Sequence, residues 1–124
     1  MLGSVSIHAI ESQPENLQYN RDIRPILSHA CFTCHGPDAA ARKAELRLDV
    51  RADALRETAS GALPIVPSKA TASALIQRIS SADLSQRMPP EGHAALTAEQ
   101  IETLTRWINQ GAEYQQHWAF ITPT

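Results

Sequence analysis

Residues 31–35 read Cys31-Phe32-Thr33-Cys34-His35, and this stretch is the most informative part of the chain. Two thiols separated by two residues and followed directly by a histidine form the attachment pattern of c-type haem. The two cysteines can each add to one vinyl group of the same porphyrin. The histidine then lies beneath the iron, for which imidazole is an effective axial ligand. The pattern therefore predicts one covalently bound haem c, linked through Cys31 and Cys34, with its iron ligated by His35.

Two other uses of a cysteine pair fit the sequence less well. A thioredoxin-like redox pair is expected beside a strand–helix–strand pattern, and none flanks residues 31–35. A zinc knuckle needs four ligands, and no second Cys or His pair has a suitable spacing. Both cysteines of the chain lie in the motif, so there is no disulfide framework besides it.

The best candidate for the sixth iron ligand is Met88, in the sequence Met88-Pro89-Pro90. The common structural role of methionine is to fill a gap in a hydrophobic core. Residues 80–96 have an irregular pattern with few apolar neighbours for Met88, so its thioether is a good candidate for an iron ligand. The two prolines would stiffen the loop and hold the sulfur in place. His93, in the same loop, is the main alternative. The other histidines are less well placed: His8, His29 and His117.

Hydrophobic periodicity predicts a mainly α fold. Ile23, Ile26 and Leu27 recur at helical spacing and predict a helix that runs into the cysteines. Pro25 lies early enough to be tolerated in its first turn. We expect a mainly α domain that packs around one haem.

Two further helices are predicted in the second half of the chain. Ser68 is a suitable N-cap for a helix that continues to Ile79. Thr97 and Gln100 form a capping box for a final helix, and Gly111 stands where that helix should stop.

One region carries a weak strand signal. Leu46, Leu48 and Val50 alternate with charged residues, and residues 63–67 must be extended because they contain two prolines. The two segments could pair, which would add a short two-stranded β element to the helical fold.

Residues that support a haem are harder to predict. Its propionates need cations or hydrogen-bond donors, and four residues are candidates: Arg47, Arg51, Arg87 and Trp107. The second ring nitrogen of the proximal histidine commonly binds a backbone carbonyl. Leu63 or Pro64 could supply that carbonyl.

Length and charge limit the class of protein. With 124 residues the chain suits one domain. The formal net charge is -2, from 11 basic and 13 acidic residues, and no patch is typical of nucleic-acid or membrane-surface binding. No apolar run approaches the ~20 residues of a membrane span. We predict a lead-in over residues 1–18, the domain over 19–114 and an exit segment over 115–124.

The cofactor also predicts a compartment. Attachment of c-type haem takes place outside the cytoplasmic membrane, yet residues 1–10 lack the charged and apolar regions of a secretory signal. We therefore expect a periplasmic or otherwise extracytoplasmic location. We also expect a precursor with an export signal or anchor, of which this chain is a fragment or processed form.

Several segments together resemble the planctomycete-type cytochrome c domain, a relative of class I cytochromes c. The resemblance covers roughly residues 18–121, in order. The segments that carry it are Asn20-Arg21-Asp22-Ile23-Arg24-Pro25-Ile26-Leu27, Cys31-Phe32-Thr33-Cys34-His35-Gly36-Pro37-Asp38, Leu46-Arg47-Leu48-Asp49, Arg87-Met88-Pro89-Pro90, Trp107-Ile108-Asn109-Gln110-Gly111-Ala112-Glu113-Tyr114 and His117-Trp118-Ala119-Phe120.

The resemblance implies a thioether role for Cys31 and Cys34, a proximal role for His35 and a distal role for Met88. It also implies a neighbouring domain after the His-Trp-Ala-Phe segment in a larger parent chain. The expected function is electron transfer, not enzymatic catalysis, to a redox partner protein or to neighbouring domains of that parent. The alternatives are a catalytic or gas-sensing haem with a labile distal ligand, and an interaction module with a structural haem.

Overall fold

The computed structural model describes residues 17–38, 42–43 and 45–116. Most of the predicted lead-in and the His117-Trp118-Ala119-Phe120 segment, with His8 and His117, lie outside these residues. The division into residues 1–18, 19–114 and 115–124 stays a prediction.

The first helices follow one another along the chain and include the cysteine motif. A π-helical turn, Tyr19–Ile23, leads into helix α1, Arg24–Ala30, and helix α2 follows as Phe32–His35. Pro25 lies in the first turn of α1, where no intrahelical N–H is needed. The Cys31 N–H donates to the Leu27 carbonyl (2.7 Å), so helical bonding continues into the motif. The predicted helix before the cysteines is confirmed.

The remaining helices are short until the last one. They are α3, Arg51–Ala54, a 3-10 turn, Ala70–Ala72, α4, Ala74–Ile79, and α5, Ala98–Asn109. The mainly α fold class is confirmed. Within the described ranges, no helix is long and apolar enough to cross a membrane.

The described residues contain no strand, so the two-stranded β element is absent from them. The physical reason is that both segments bond to other parts of the chain. The Leu48 N–H donates to the His35 carbonyl (2.7 Å), and the Ile65 N–H donates to the Ala54 carbonyl (3.1 Å). Of residues 46–50 only Leu48 is buried, so the alternation in the sequence does not correspond to a strand with one buried face.

The predicted helix from Ser68 to Ile79 starts later than expected. Ser68 has φ of +69°, which does not suit an N-cap, and the α-helix begins after Ser73. The Ser73 hydroxyl is fully buried, accepts from the Val66 N–H (2.8 Å) and donates to the Lys69 carbonyl (3.0 Å). Ser73 therefore closes the loop before α4 instead of continuing a helix through it.

Helix α5 forms as predicted and supplies the centre of the core. Its capping box between Thr97 and Gln100 is present, and Gly111 follows it with φ of +113°. Trp107, on its buried face, lies against two tyrosines from opposite ends of the described chain. The ring of Tyr19 stacks on that of Tyr114 with centroids 4.3 Å apart. This aromatic cluster joins the first turn, α5 and the segment after it.

Candidate functional site

The cysteine motif forms a single helical turn. The Cys31 carbonyl accepts hydrogen bonds from the N–H groups of Cys34 (3.2 Å) and His35 (2.8 Å). The next residue, Gly36, is buried so tightly that a Cβ atom there would overlap the Phe32 carbonyl. The turn after His35 thus accepts only glycine without a shift of the backbone.

A second part of the chain, residues 42–43 and 45–48, braces this turn from outside. The Lys43 N–H donates to the Cys34 carbonyl (2.6 Å), and the Leu48 N–H donates to the His35 carbonyl (2.7 Å). The Arg42 guanidinium donates to the carbonyls of the two residues that follow His35, at 3.1 and 3.2 Å. Backbone and side-chain bonds together fix the position of the histidine.

The same segment also orients the His35 ring. Its Nδ1 lies 3.2 Å from the Lys43 carbonyl oxygen, which can only accept a hydrogen bond. Burial lowers the pKa of His35 below its ordinary 6.5, so the ring is neutral at pH 7. The proton of the neutral ring therefore belongs on Nδ1, which leaves the Nε2 lone pair free for a ligand. Leu63 and Pro64, the predicted partners, instead accept N–H groups from the start of α4 (both 2.9 Å).

The two cysteines are free thiols in different surroundings. Cys31 is 8% exposed, and burial, with a smaller contribution from Cys34, raises the pKa of its thiol to about 12. Cys34 is half-buried. Neither is linked to the other, so both sulfur atoms are available for thioether bonds.

Met88 is tied to the end of α4. Its N–H donates to the Arg78 carbonyl (3.1 Å), while Nη1 of Arg78 donates to the Gln86 carbonyl (3.3 Å). Met88 is half-buried and the next residue, Pro89, is buried. The loop that carries the thioether is thus held by both the backbone and the side chain of one residue.

These elements surround a cavity of about 810 Å³, in the upper part of the range for small-molecule and cofactor sites. Cys31, Cys34, His35 and Met88 all line it, so the structure brings the four predicted site residues together. His93 and His29 line the same cavity. Apolar side chains supply much of the remaining wall: Ala30, Leu46, Leu48, Pro64, Leu75 and Ile79.

This cavity fits a c-type haem on four observations. Two unlinked thiols lie on one helical turn, and the imidazole beside them has a free Nε2 lone pair. The wall is apolar enough to cover a porphyrin ring, and the thioether of Met88 lies on the loop that borders the cavity. The described residues contain no group of three or more His, Cys, Asp and Glu that could hold a bare metal ion.

The predicted propionate partners lie elsewhere, because none of the four lines the cavity. Arg47 forms an ion pair with Asp49 (2.6 Å), and Arg51 donates to the carbonyls of Ala112 (2.8 Å) and Gly111 (3.1 Å), which follow α5. The Trp107 indole donates to the Glu113 carbonyl (3.0 Å). These three predicted propionate partners already form hydrogen bonds or an ion pair within the protein.

Two cations that sequence reasoning missed line the cavity instead, Lys43 and Arg78. No carboxylate of a described residue lines it. Arg78 lies next to Ile79, which is buried at the end of α4. The helical pattern alone could have placed Arg78 near the site, but it does not show which way the end of α4 points. Arg87, by contrast, has a buried Nε without a hydrogen-bond partner among the described residues.

Comparison with known families gives one match. The family described as Planctomycete cytochrome C matches residues 31–92, which is half of the chain. The matched range contains the cysteine motif and Met88, and is narrower than the range 18–121 over which the motifs resemble this family. No curated protein and no solved structure matches the chain.

Proposed function

The chain belongs to the planctomycete cytochrome c family. From this premise we propose that it carries a single haem c, which is linked to Cys31 and Cys34 and ligated by His35 and Met88. A member of this family binds haem c covalently and has an electron-transfer role. The ligand pair and the number of haems are our proposal. The observation that carries it is that all four residues line one cavity of about 810 Å³.

Met88 is favoured over His93 as the distal ligand because it is the better held of the two. Met88 is half-buried and bonded through its N–H to α4, whereas His93 is exposed. A ligand that must remain bound in both redox states benefits from a position fixed before the haem enters.

Haem, when bound, supplies the one-electron exchange between ferrous and ferric iron. The residues of the chain set the conditions for that exchange. The Lys43 carbonyl holds the neutral imidazole of His35 with Nε2 free, and the Arg78 carbonyl holds the Met88 loop. The apolar wall excludes water, and a Met/His ligand pair raises the reduction potential. Little needs to rearrange between the two redox states.

Electrons would enter and leave near the half-buried Cys34, because Cys31 is buried. A redox partner protein, or a neighbouring domain of a larger parent chain, would make a small and transient contact there. Because c-type haem is attached outside the cytoplasmic membrane, the proposed cofactor supports a periplasmic or otherwise extracytoplasmic location.

Absorption spectra of the oxidised and reduced protein, with carbon monoxide added to the reduced form, test this function. We expect a low-spin spectrum with the weak iron–thioether charge-transfer band, unchanged by carbon monoxide. Rapid carbon monoxide binding by the intact domain would instead support a catalytic or gas-sensing haem. A redox titration without a reversible couple would support a purely structural haem.

The distal ligand is tested by Met88→Ala. This variant should lose the charge-transfer band and bind carbon monoxide, since it opens a coordination position. The matched control, His93→Ala, should keep the band. If the native protein is low-spin but lacks the band, and His93→Ala binds carbon monoxide while Met88→Ala does not, His93 is the ligand.

A further inference from the structure

The cavity has a one-sided charge. Among its described lining residues Lys43 and Arg78 carry a fixed positive charge, and none carries a carboxylate. Haem has an apolar ring and two propionate carboxylates, and a carboxylate removed from water needs charged or hydrogen-bonding partners. The apolar wall suits the ring, and the two cations supply the fixed positive charge on the lining that propionates can pair with.

Arg78 is connected to the distal side of the site at two points. Its carbonyl accepts the Met88 N–H (3.1 Å), and its Nη1 donates to the Gln86 carbonyl (3.3 Å), two residues before Met88. Arg78 is an exposed residue and lines the cavity that Met88 also lines. One residue at the end of α4 therefore contacts both the loop and the space that the loop borders.

The Arg78 guanidinium retains unused donors. A guanidinium has five N–H groups, and in the described part of the chain Gln86 occupies one of them. None of the ion pairs formed by described residues includes Arg78. Its planar fork matches the two oxygens of a carboxylate. Lys43 is less suited, since an ammonium is a point charge without this fork.

We propose that Arg78 is a positioning residue that binds a haem propionate through its guanidinium while it holds the loop of Met88. The proposal rests on the proposed haem site and extends it to a residue outside the ligand set. Arg78 then couples two requirements of the cofactor, because the propionate and the distal thioether are both anchored to the end of α4. A propionate bound to the guanidinium would also fix the Arg78 side chain, which donates to the Gln86 carbonyl.

The direct measurement is the pKa of the propionates. A carboxylate beside a guanidinium stays ionised to lower pH than an unpaired one. Four other titratable groups line the cavity and would complicate an indirect readout: His29, His35, Lys43 and His93. We therefore suggest haem labelled with ¹³C at its propionate carboxyl carbons, followed by NMR of the reduced protein against pH.

In Arg78→Gln, the pKa of one propionate should rise by about one unit or more, in line with the effect of an opposite charge within a few ångströms. Arg78→Lys keeps the charge but not the fork, so its rise should be smaller. The control is Arg21→Gln, which removes one positive charge outside the cavity, where the Arg21 side chain is 54% exposed. It should leave both propionate titrations unchanged.

The charge-transfer band, recorded on the same samples, separates the two roles of Arg78. A weakened band with unchanged propionate titrations in Arg78→Gln would overturn the proposal, because Arg78 would then only brace the loop. A shift in Lys43→Gln but not in Arg78→Gln would overturn it as well. If Arg78→Gln does not load haem, Arg78→Lys decides, and an unchanged titration there counts against the proposal. A native protein without haem or without the band would instead refute the proposed function.

Discussion

At the scale of the residue, the protein itself orients the ring of His35, the proposed proximal ligand. Burial keeps the imidazole neutral, and the Lys43 carbonyl fixes the proton on Nδ1. The residue type and its place after Cys34 follow from the motif. The carbonyl that orients the ring does not, because it comes from a segment whose path depends on the rest of the fold.

The turn after His35 has no room for a side chain at Gly36. Gly36→Ala would place a Cβ atom against the Phe32 carbonyl, so the turn behind His35 must shift. We expect a loss of about 1–3 kcal/mol in the free energy of unfolding, the usual cost of overpacking, and a lower yield of haem attachment. Urea unfolding and the ratio of haem to protein measure the two effects.

The control for Gly36→Ala is Ala52→Ser, at an exposed position in α3. It should change the free energy of unfolding by no more than about 0.5 kcal/mol. Equal stability of the two variants would show that the turn relaxes without cost.

At the scale of elements, α5 is the helix that sequence predicts best. Its start depends on contacts between residues three apart, which any chain with Thr97 and Gln100 in this pattern can make. The sequence predicts α4 too long. Its actual start depends on the buried hydroxyl of Ser73, which bonds to the backbone of Val66 and Lys69 in the preceding loop. Local sequence signals therefore determine the start of α5, whereas tertiary contacts determine the start of α4.

Thr97→Ala tests the capping box. The variant loses the acceptor for the Gln100 N–H (3.1 Å) and should lower the free energy of unfolding by about 1 kcal/mol. Thr97→Ser keeps the hydroxyl and should retain most of the stability. Because Thr97 does not line the cavity, the charge-transfer band should be unchanged in both. Equal losses in the two variants, measured by urea unfolding, would contradict a capping role.

At the scale of the whole molecule, the cofactor and the aromatic cluster share the task of forming a core. The chain has two Trp, two Tyr and two Phe. Trp107, Tyr19 and Tyr114 form one packed group, while the walls of the 810 Å³ cavity have only the cofactor to cover them. Stability should therefore depend on both.

The haem-free chain should be much less stable than the loaded protein. Without a porphyrin the apolar cavity walls are left without packing partners, and a domain of this size has about 5–15 kcal/mol of stability in total. We expect several kcal/mol to be lost, with a weaker helical circular dichroism signal. The double variant Cys31→Ala/Cys34→Ala, expressed without haem attachment, provides the sample. A helical signal and urea midpoint equal to those of the loaded protein would contradict this expectation.

The two tyrosines predict a dependence on alkaline pH. Burial raises the pKa of Tyr19 from 10.0 to about 12, against a lowering effect of Arg24, and burial raises the pKa of Tyr114 further. A raised folded pKa means that the stability from the neutral hydroxyls is complete below pH 10 and is lost as pH rises through the folded values. The free energy of unfolding should fall above pH 10, by up to about 1.4 kcal/mol per pH unit for each tyrosine.

NMR of the reduced protein with ¹³Cζ-labelled tyrosine checks the ionisation, and urea unfolding at pH 9 and about 11 checks the stability. Tyr114→Phe is the matched variant: it loses the hydrogen bond to the Leu48 carbonyl (2.6 Å) and should reduce the pH dependence. Ordinary titration of both tyrosines near pH 10 in the folded protein would contradict the burial argument.

The sequence by itself determined the features that depend on neighbours along the chain. These are the haem-attachment motif, the helix before it and the capped final helix. The tertiary structure alone decided that the Lys43 carbonyl orients His35, that Arg78 lines the cavity and that residues 46–50 form no strand. The physical reason is distance along the chain. A motif or a cap is completed within a few residues, whereas a cavity wall and its hydrogen bonds need segments that only the fold brings together.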